Sequence, residues 1–137
     1  MELQSYTACY GNLGLQNFLQ PSCNAGEKMA VVGVYALAKK LATGCPVEIT
    51  TANAETDPEL CCQYDPADCS VRYSTSVYRN YYNSCNGKES CLIPVSWVPT
   101  SCNQTVYLLR TNYMSMEYYC IAGKIYLNIV KVINLIN

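Results

Sequence analysis

The stretch Asn112-Tyr113-Met114-Ser115-Met116-Glu117-Tyr118-Tyr119-Cys120 alternates along its length. Met114, Met116, Tyr118 and Cys120 fall on one side, and Tyr113, Ser115, Glu117 and Tyr119 on the other. This period of two predicts a half-buried β-strand over Tyr113–Cys120. Its last residue is also the last of ten cysteines: Cys9, Cys23, Cys45, Cys61, Cys62, Cys69, Cys85, Cys91, Cys102 and Cys120. They are even in number and spread over most of 137 residues, the signature of a domain braced by disulfides and made in an oxidising compartment.

Working outward from that strand, Ser74–Cys85 reads as a helix. Tyr78, Tyr81, Tyr82 and Cys85 recur at helical spacing, so Tyr78 and Tyr82 are expected to pack on the sheet while Arg79 and Asn83 face water. Asn86-Gly87 then ends the helix with a left-handed cap. Cys91–Val95 is a short apolar strand stopped by Ser96 and Pro99. Residues 43–68 form a long loop region holding six of the ten acidic residues: Glu48, Glu55, Asp57, Glu59, Asp65 and Asp68. They lack the spacing of a calcium-binding EF-hand loop and read as a solvated acidic loop.

Met29–Ala42 carries two signals. Its Ala and Lys content with Gly44 beyond suits a helix, whereas Val31-Val32-Gly33-Val34-Tyr35 favours a buried strand; a strand over Met29–Tyr35 is the assignment made here. Near the start, Tyr6–Tyr10 reads as a strand, followed by a Gly-Asn turn and a second segment at Leu13–Leu19. Past Cys120 the character changes. Residues 122–137 form an Ile-, Val-, Leu- and Asn-rich tail of unknown role, in which Lys124, Asn128, Lys131 and Asn134 suit an amphipathic helix over Ile125–Asn137, with a disordered or artefactual tail as the equal alternative.

Composition narrows the function. No histidine is present, which removes Ser-His-Asp and Cys-His catalysis and histidine-containing zinc sites. A binding or structural module is expected rather than an enzyme, with no cofactor and no metal. Net charge is −1 and the nine Lys and Arg form no basic stripe, so no nucleic-acid partner is expected. No segment approaches the roughly 18 continuous apolar residues of a membrane span. Thirteen tyrosines, against one Phe and one Trp, offer flat apolar faces with hydroxyls; these suit sugars, and equally suit packing around disulfides. Asn103-Gln104-Thr105 is an N-glycosylation sequon, placing Asn103 on an exposed extracellular loop. Met1 is followed by Glu2 and a polar run rather than a signal peptide. With cysteines that argue for secretion, the expectation is a mature form, a fragment or an incomplete gene model.

The segment Cys85-Asn86-Gly87 through Cys91, Leu92-Ile93-Pro94-Val95, Cys102 and the closing strand to Cys120 resembles the galactose/rhamnose-binding lectin domain of the sea-urchin-egg-lectin type, as in egg lectins and latrophilin-type receptors. Cys9-Tyr10-Gly11 resembles that family's first-strand Cys-Glu-Gly, and Cys23 with Gly26 and Lys28 the start of its second strand. The resemblance covers about residues 6–121. It implies a small disulfide-rich α/β domain with two antiparallel β-layers and helical segments between them. It also implies the pairings Cys9–Cys45, Cys23–Cys120, Cys69–Cys102 and Cys85–Cys91. Cys61 and Cys62 exceed the family's usual complement: either they close a strained ring between neighbours, or one takes the place of Cys45 and the others rearrange.

Carried over position by position, the family's sugar-binding residues fall on Tyr10, Tyr35, Ser101, Asn112 and Tyr113. The family's glutamate is Tyr10 here, only the tyrosine of Tyr-Gly-Arg survives at Tyr35-Ala36-Leu37, Asp-Pro-Cys is Thr100-Ser101-Cys102, and Lys-Tyr-Leu is Asn112-Tyr113-Met114. Every charged contact is thus replaced by a neutral one. The resemblance implies an extracellular carbohydrate-binding module, secreted or part of a larger ectodomain, with a diverged site for a rhamnose- or galactose-like sugar. An adhesion or protein-interaction module that meets a cell-surface glycoprotein without binding sugar is the alternative, and a small cysteine-rich toxin or inhibitor is supported by composition alone.

Overall fold

The computed structural model of the chain describes residues 2–72, 75–125 and 131. Among the described residues up to Ala122, six strands and two short helices follow in the order β1 (Gln4–Cys9), β2 (Phe18–Leu19), β3 (Glu27–Ala38), α1 (Pro58–Cys61), β4 (Cys69–Arg72), α2 (Thr75–Cys85), β5 (Ile93–Pro94) and β6 (Tyr113–Ala122), with 3-10 turns at Gly14–Asn17, Leu41–Thr43 and Thr51–Asn53. The alternating stretch read first in the sequence is the spine. β6 lies second in a four-stranded antiparallel sheet of order β1-β6-β3-β4, while β2 and β5 form a separate antiparallel pair. The chain is thus a small disulfide-rich α/β domain with two antiparallel sheets, short helices and five disulfides.

β3 extends well past the expected Met29–Tyr35, because it is paired on both sides, with β6 and with β4. The helical signal that followed it is real but short. Leu41–Thr43 is a single 3-10 turn closed by Gly44 at φ +76°, a left-handed conformation that only glycine adopts without strain.

One side of the sheet carries the main core. Met114, Met116 and Tyr118 of β6 meet Met29, Val34 and Ala36 of β3, together with Leu19, Tyr81, Cys85 and Val95. Helix α2 supplies Tyr81 and Cys85, one turn apart and 7% and 0% exposed. Tyr82 is 38% exposed, so the helix is rotated from the phase expected of a Tyr78–Tyr82 face. The cause is local. Cys85 is tied to Cys91, and the Tyr81 hydroxyl pairs with Ser96 Oγ at 2.5 Å. Asn86-Gly87 ends the helix as expected and locks it to β3: Asn86 Oδ1 accepts from Val31 N and Gly87 N donates to Met29 O. The side chain of Tyr78, and most of the amphipathic helix expected over Ile125–Asn137, lie outside the described residues.

The other side was expected to face water, and at the start of β6 it does not, while Glu117 and Tyr119 further along are half-buried. Tyr113 and Ser115 are as buried as Met114 and Met116. A second cluster of Cys9, Leu37, Cys45, Ile49, Cys61, Cys62 and Tyr113 covers this end of the sheet, contributed mostly by the irregular segment before β4.

That segment also corrects the cysteine pairing. Cys23–Cys120, Cys69–Cys102 and Cys85–Cys91 form, but Cys9–Cys45 does not; Cys9 bonds Cys62 and Cys45 bonds Cys61. Asp57 caps α1 and Pro58 opens it, and the helix ends at Cys61, so the two adjacent sulfurs diverge to separate partners instead of closing a ring.

Truncating Tyr81 to Ala should cost about 3–5 kcal/mol, as for large aromatic side chains in cores. Tyr82→Ala should cost under about 1 kcal/mol, and denaturant unfolding of both variants checks the helix phase. Removing the Cys45–Cys61 bridge, whose cysteines are 16 residues apart, by a paired Cys→Ser change should cost about 3 kcal/mol by the same measurement.

Candidate functional site

The five residues expected to meet a ligand do not assemble into one site. Tyr113 is fully buried, and its hydroxyl donates to Asp68. Burial above all, then the bond to Asp68 and its charge, push this phenol far above the ordinary tyrosine range. Asp68 pairs with Lys39 at 2.8 Å, and Lys39 Nζ also donates to Gln63 O at 2.7 Å and lies 5.4 Å from the Tyr113 ring centre. Asn112 is 2% exposed, and its amide is spent inside the protein. Its Nδ2 donates to Cys61 O at 2.8 Å and its Oδ1 accepts from Lys39 N at 3.0 Å. Asn112 and Tyr113 therefore anchor the covering segment to the sheet rather than lining an open pocket.

Tyr10, Tyr35 and Ser101 remain accessible, but apart. Tyr10 packs against the main core and Tyr35 against the second cluster, on opposite sides of the sheet. Ser101 is exposed on the loop before Cys102. Asn103 is exposed on a tight turn, where its Oδ1 accepts from Thr105 N at 2.9 Å and Thr105 Oγ1 at 2.8 Å.

Around Tyr10 the structure brings together residues that the motif comparison passed over. The Arg110 guanidinium lies 4.6 Å from the Trp97 ring centre and 5.6 Å from that of Tyr10, and its Nη2 is 3.9 Å from Glu48 Oε2. Four chain segments converge here. Tyr10 N donates to Asn112 O and Ile49 N donates to Tyr10 O, each at 2.9 Å, which sets Glu48 beside Tyr10. Residues 98–100 pair with 109–111 through Thr111 N to Val98 O, Thr100 N to Leu109 O and the Pro99–Arg110 bridge, which sets Trp97 beside Arg110.

Trp97, the only tryptophan, is 41% exposed, and the side chains of Arg110 and Glu48 are 27% and 36% exposed. The result is a surface ridge with two aromatic faces, a fork of N–H donors and a carboxylate acceptor. Such a set can stack on an apolar ring face and grip hydroxyls with charge-assisted hydrogen bonds. Glu48 and Arg110 bring the charge to this cluster. The lone Trp beside Pro99 was the available signal.

The acidic loop dissolves into individual roles. Asp57 and Asp65 accept from backbone amides of Glu59 and Ala67, Glu48 faces Arg110, and Asp68 faces Lys39. Among the described residues no group of three or more His, Cys, Asp or Glu is placed to hold a metal ion, and no helix is long and apolar enough to cross a membrane. Comparisons with known protein families, curated proteins and solved structures give no match.

Asp68→Ala should cost about 3–5 kcal/mol, because it strands the buried Lys39 ammonium. Pairing Lys39→Met with Asp68→Leu should recover most of that loss, and a double-mutant cycle on denaturant midpoints measures it.

Proposed function

We propose that this chain is an extracellular carbohydrate-binding module whose ligand docks on the Trp97–Arg110–Tyr10 ridge with Glu48 at its edge. The observation that carries this is the partly exposed guanidinium held against two aromatic rings beside a carboxylate. A pyranose offers the complement, one apolar face and a rim of hydroxyls. Five disulfides in a small domain are typical of extracellular proteins, which supports the location. So does the exposed sequon at Asn103. The resemblance to rhamnose- and galactose-binding lectins supports the ligand class, with Tyr10 as the shared position and Arg110 and Glu48 in place of the family's charged contacts.

A second use has its own support. Leu109 is 63% exposed next to Arg110, and Trp, Tyr and Arg are the residue types that anchor protein interfaces. A protein partner, such as the polypeptide of a cell-surface glycoprotein, would cover Leu109 as well as the ridge.

Because Trp97 is the sole tryptophan, its fluorescence reports occupancy of the ridge directly. Titration of the oxidised, secreted chain with rhamnose or galactose should move that emission, with single-site affinity near millimolar, about −4 kcal/mol. Arg110→Ala should weaken binding roughly tenfold without lowering stability, since a surface charge pair contributes little. A glycan array on which the protein retains no sugar, together with unchanged emission, would overturn the proposal.

A further inference from the structure

The opposite side of the sheet carries a second feature, independent of the ridge. Beyond the covering segment lies a groove of about 320 Å³, floored by Ser5, Tyr35, Ser70, Ser115 and Glu117 and walled by Tyr64. Strand register builds it. Glu117 of β6 sits opposite Ser5 of β1 and Gly33 of β3, and Ser115 sits opposite Thr7 and Tyr35. Ser70 of β4 faces Leu37. These rungs project from one face because side chains two apart on a strand share a side.

Gly33 makes the groove's shape. A Cβ there would lie 2.7–3.1 Å from Cε2, Oη and Cζ of Tyr35, so the ring lies back along β3 over the glycine, towards Glu117. Burial first, then the Glu117 charge, hold Tyr35 above the ordinary tyrosine range, with Arg72 opposing. Arg72 lies 5.6 Å from the Tyr35 ring centre and directs Nη2 towards Val32 O; it is not a wall of the groove.

Among the described residues the groove walls thus hold one carboxylate, two phenol rings, three serine hydroxyls, the apolar Leu37 and no cationic side chain. Its volume falls at the small end of ligand pockets. A carboxylate beside aromatic rings is complementary to an ammonium group, which the anion pairs with and the ring faces attract. We propose that this groove binds a small protonated amine, its ammonium on Glu117 and its body against Tyr64 and the serines. Tyr64 is 62% exposed, so its ring is open to contact from solvent.

The test uses the full oxidised chain in mildly acidic buffer, followed by amide NMR shifts, with glucosamine as the probe and N-acetylglucosamine as its uncharged counterpart. Glucosamine should shift Tyr35, Ser115 and Glu117 saturably, and N-acetylglucosamine should not. Glu117→Gln should weaken binding roughly tenfold or more, as expected for a hydrogen bond to a charged group. Tyr64→Ala, at an exposed position that leaves the fold intact, should weaken it about two- to fivefold, and decides the matter if the Glu117 variant does not fold. Trp97→Ala should leave glucosamine binding unchanged, which separates this groove from the ridge. Equal binding of both sugars, no saturable shift, loss with Trp97→Ala, or full binding by a folded Glu117→Gln protein would each overturn the proposal.

Discussion

The buried contact of Lys39, Asp68 and Tyr113 is the constraint on which the rest of this structure leans. A sheet whose central strand carries Tyr113, Met114, Ser115 and Met116 needs cover on both faces, and helix α2 covers only one. The other is closed by a segment with little regular structure, which cannot offer a continuous apolar face of its own. It is held by two bridges, Cys9–Cys62 and Cys45–Cys61, and by polar bonds from Lys39 and Asn112 to Gln63 O, Cys61 O and Asp68. A buried ion pair is a poor source of net stability, since desolvation offsets most of its attraction. Its value here is registry. The disulfides limit how far the loop strays, and the charges fix which backbone atoms it meets.

Both proposed sites inherit that registry. Asn112 ties inward to Cys61 through its side chain, and its carbonyl receives Tyr10 N on the ridge side. The same covering segment carries Tyr64, the wall of the groove. Loosening the Lys39–Asp68 contact would therefore disturb the two surfaces together, although they lie on opposite sides of the sheet.

The strands were legible in the sequence because their signals are local. Alternation in Tyr113–Cys120 and the β-branched run in Val31–Val34 both marked strands that form, and the helix before Cys85 was marked by its spacing. What failed was anything that depends on a distant neighbour. Period-two alternation fixes which side chains share a face, but not whether a loop will lie over the other face, so Tyr113 and Ser115 looked half-exposed and are buried. Helical spacing placed Tyr81 and Tyr82 on one broad stripe; the hydroxyl pairing of Tyr81 with Ser96 chose between them. Motif matching carried Asn112 into a sugar site by position, whereas its amide serves Cys61 and Lys39. Arg110 and Glu48 are 62 residues apart in sequence and meet only through the fold, so no spacing rule could join them.

The state of Arg110 is the physical ground for proposing a ligand at the ridge. Its pairing with Glu48 is long, 3.9 Å, and partly exposed, so it contributes little to stability and is easily exchanged for contacts to a bound hydroxyl. The guanidinium nevertheless rests near two rings whose backbones are tied into hydrogen-bonded ladders. Binding costs rise with each flexible side chain that must be immobilised. An arginine already held by aromatic faces, with its planar fork of donors in a fixed orientation, has largely met that cost before the ligand arrives. The same logic applies to Tyr35 in the groove, laid over Gly33 beside Glu117, and it does not apply to Tyr64, the exposed wall that a ligand would have to order.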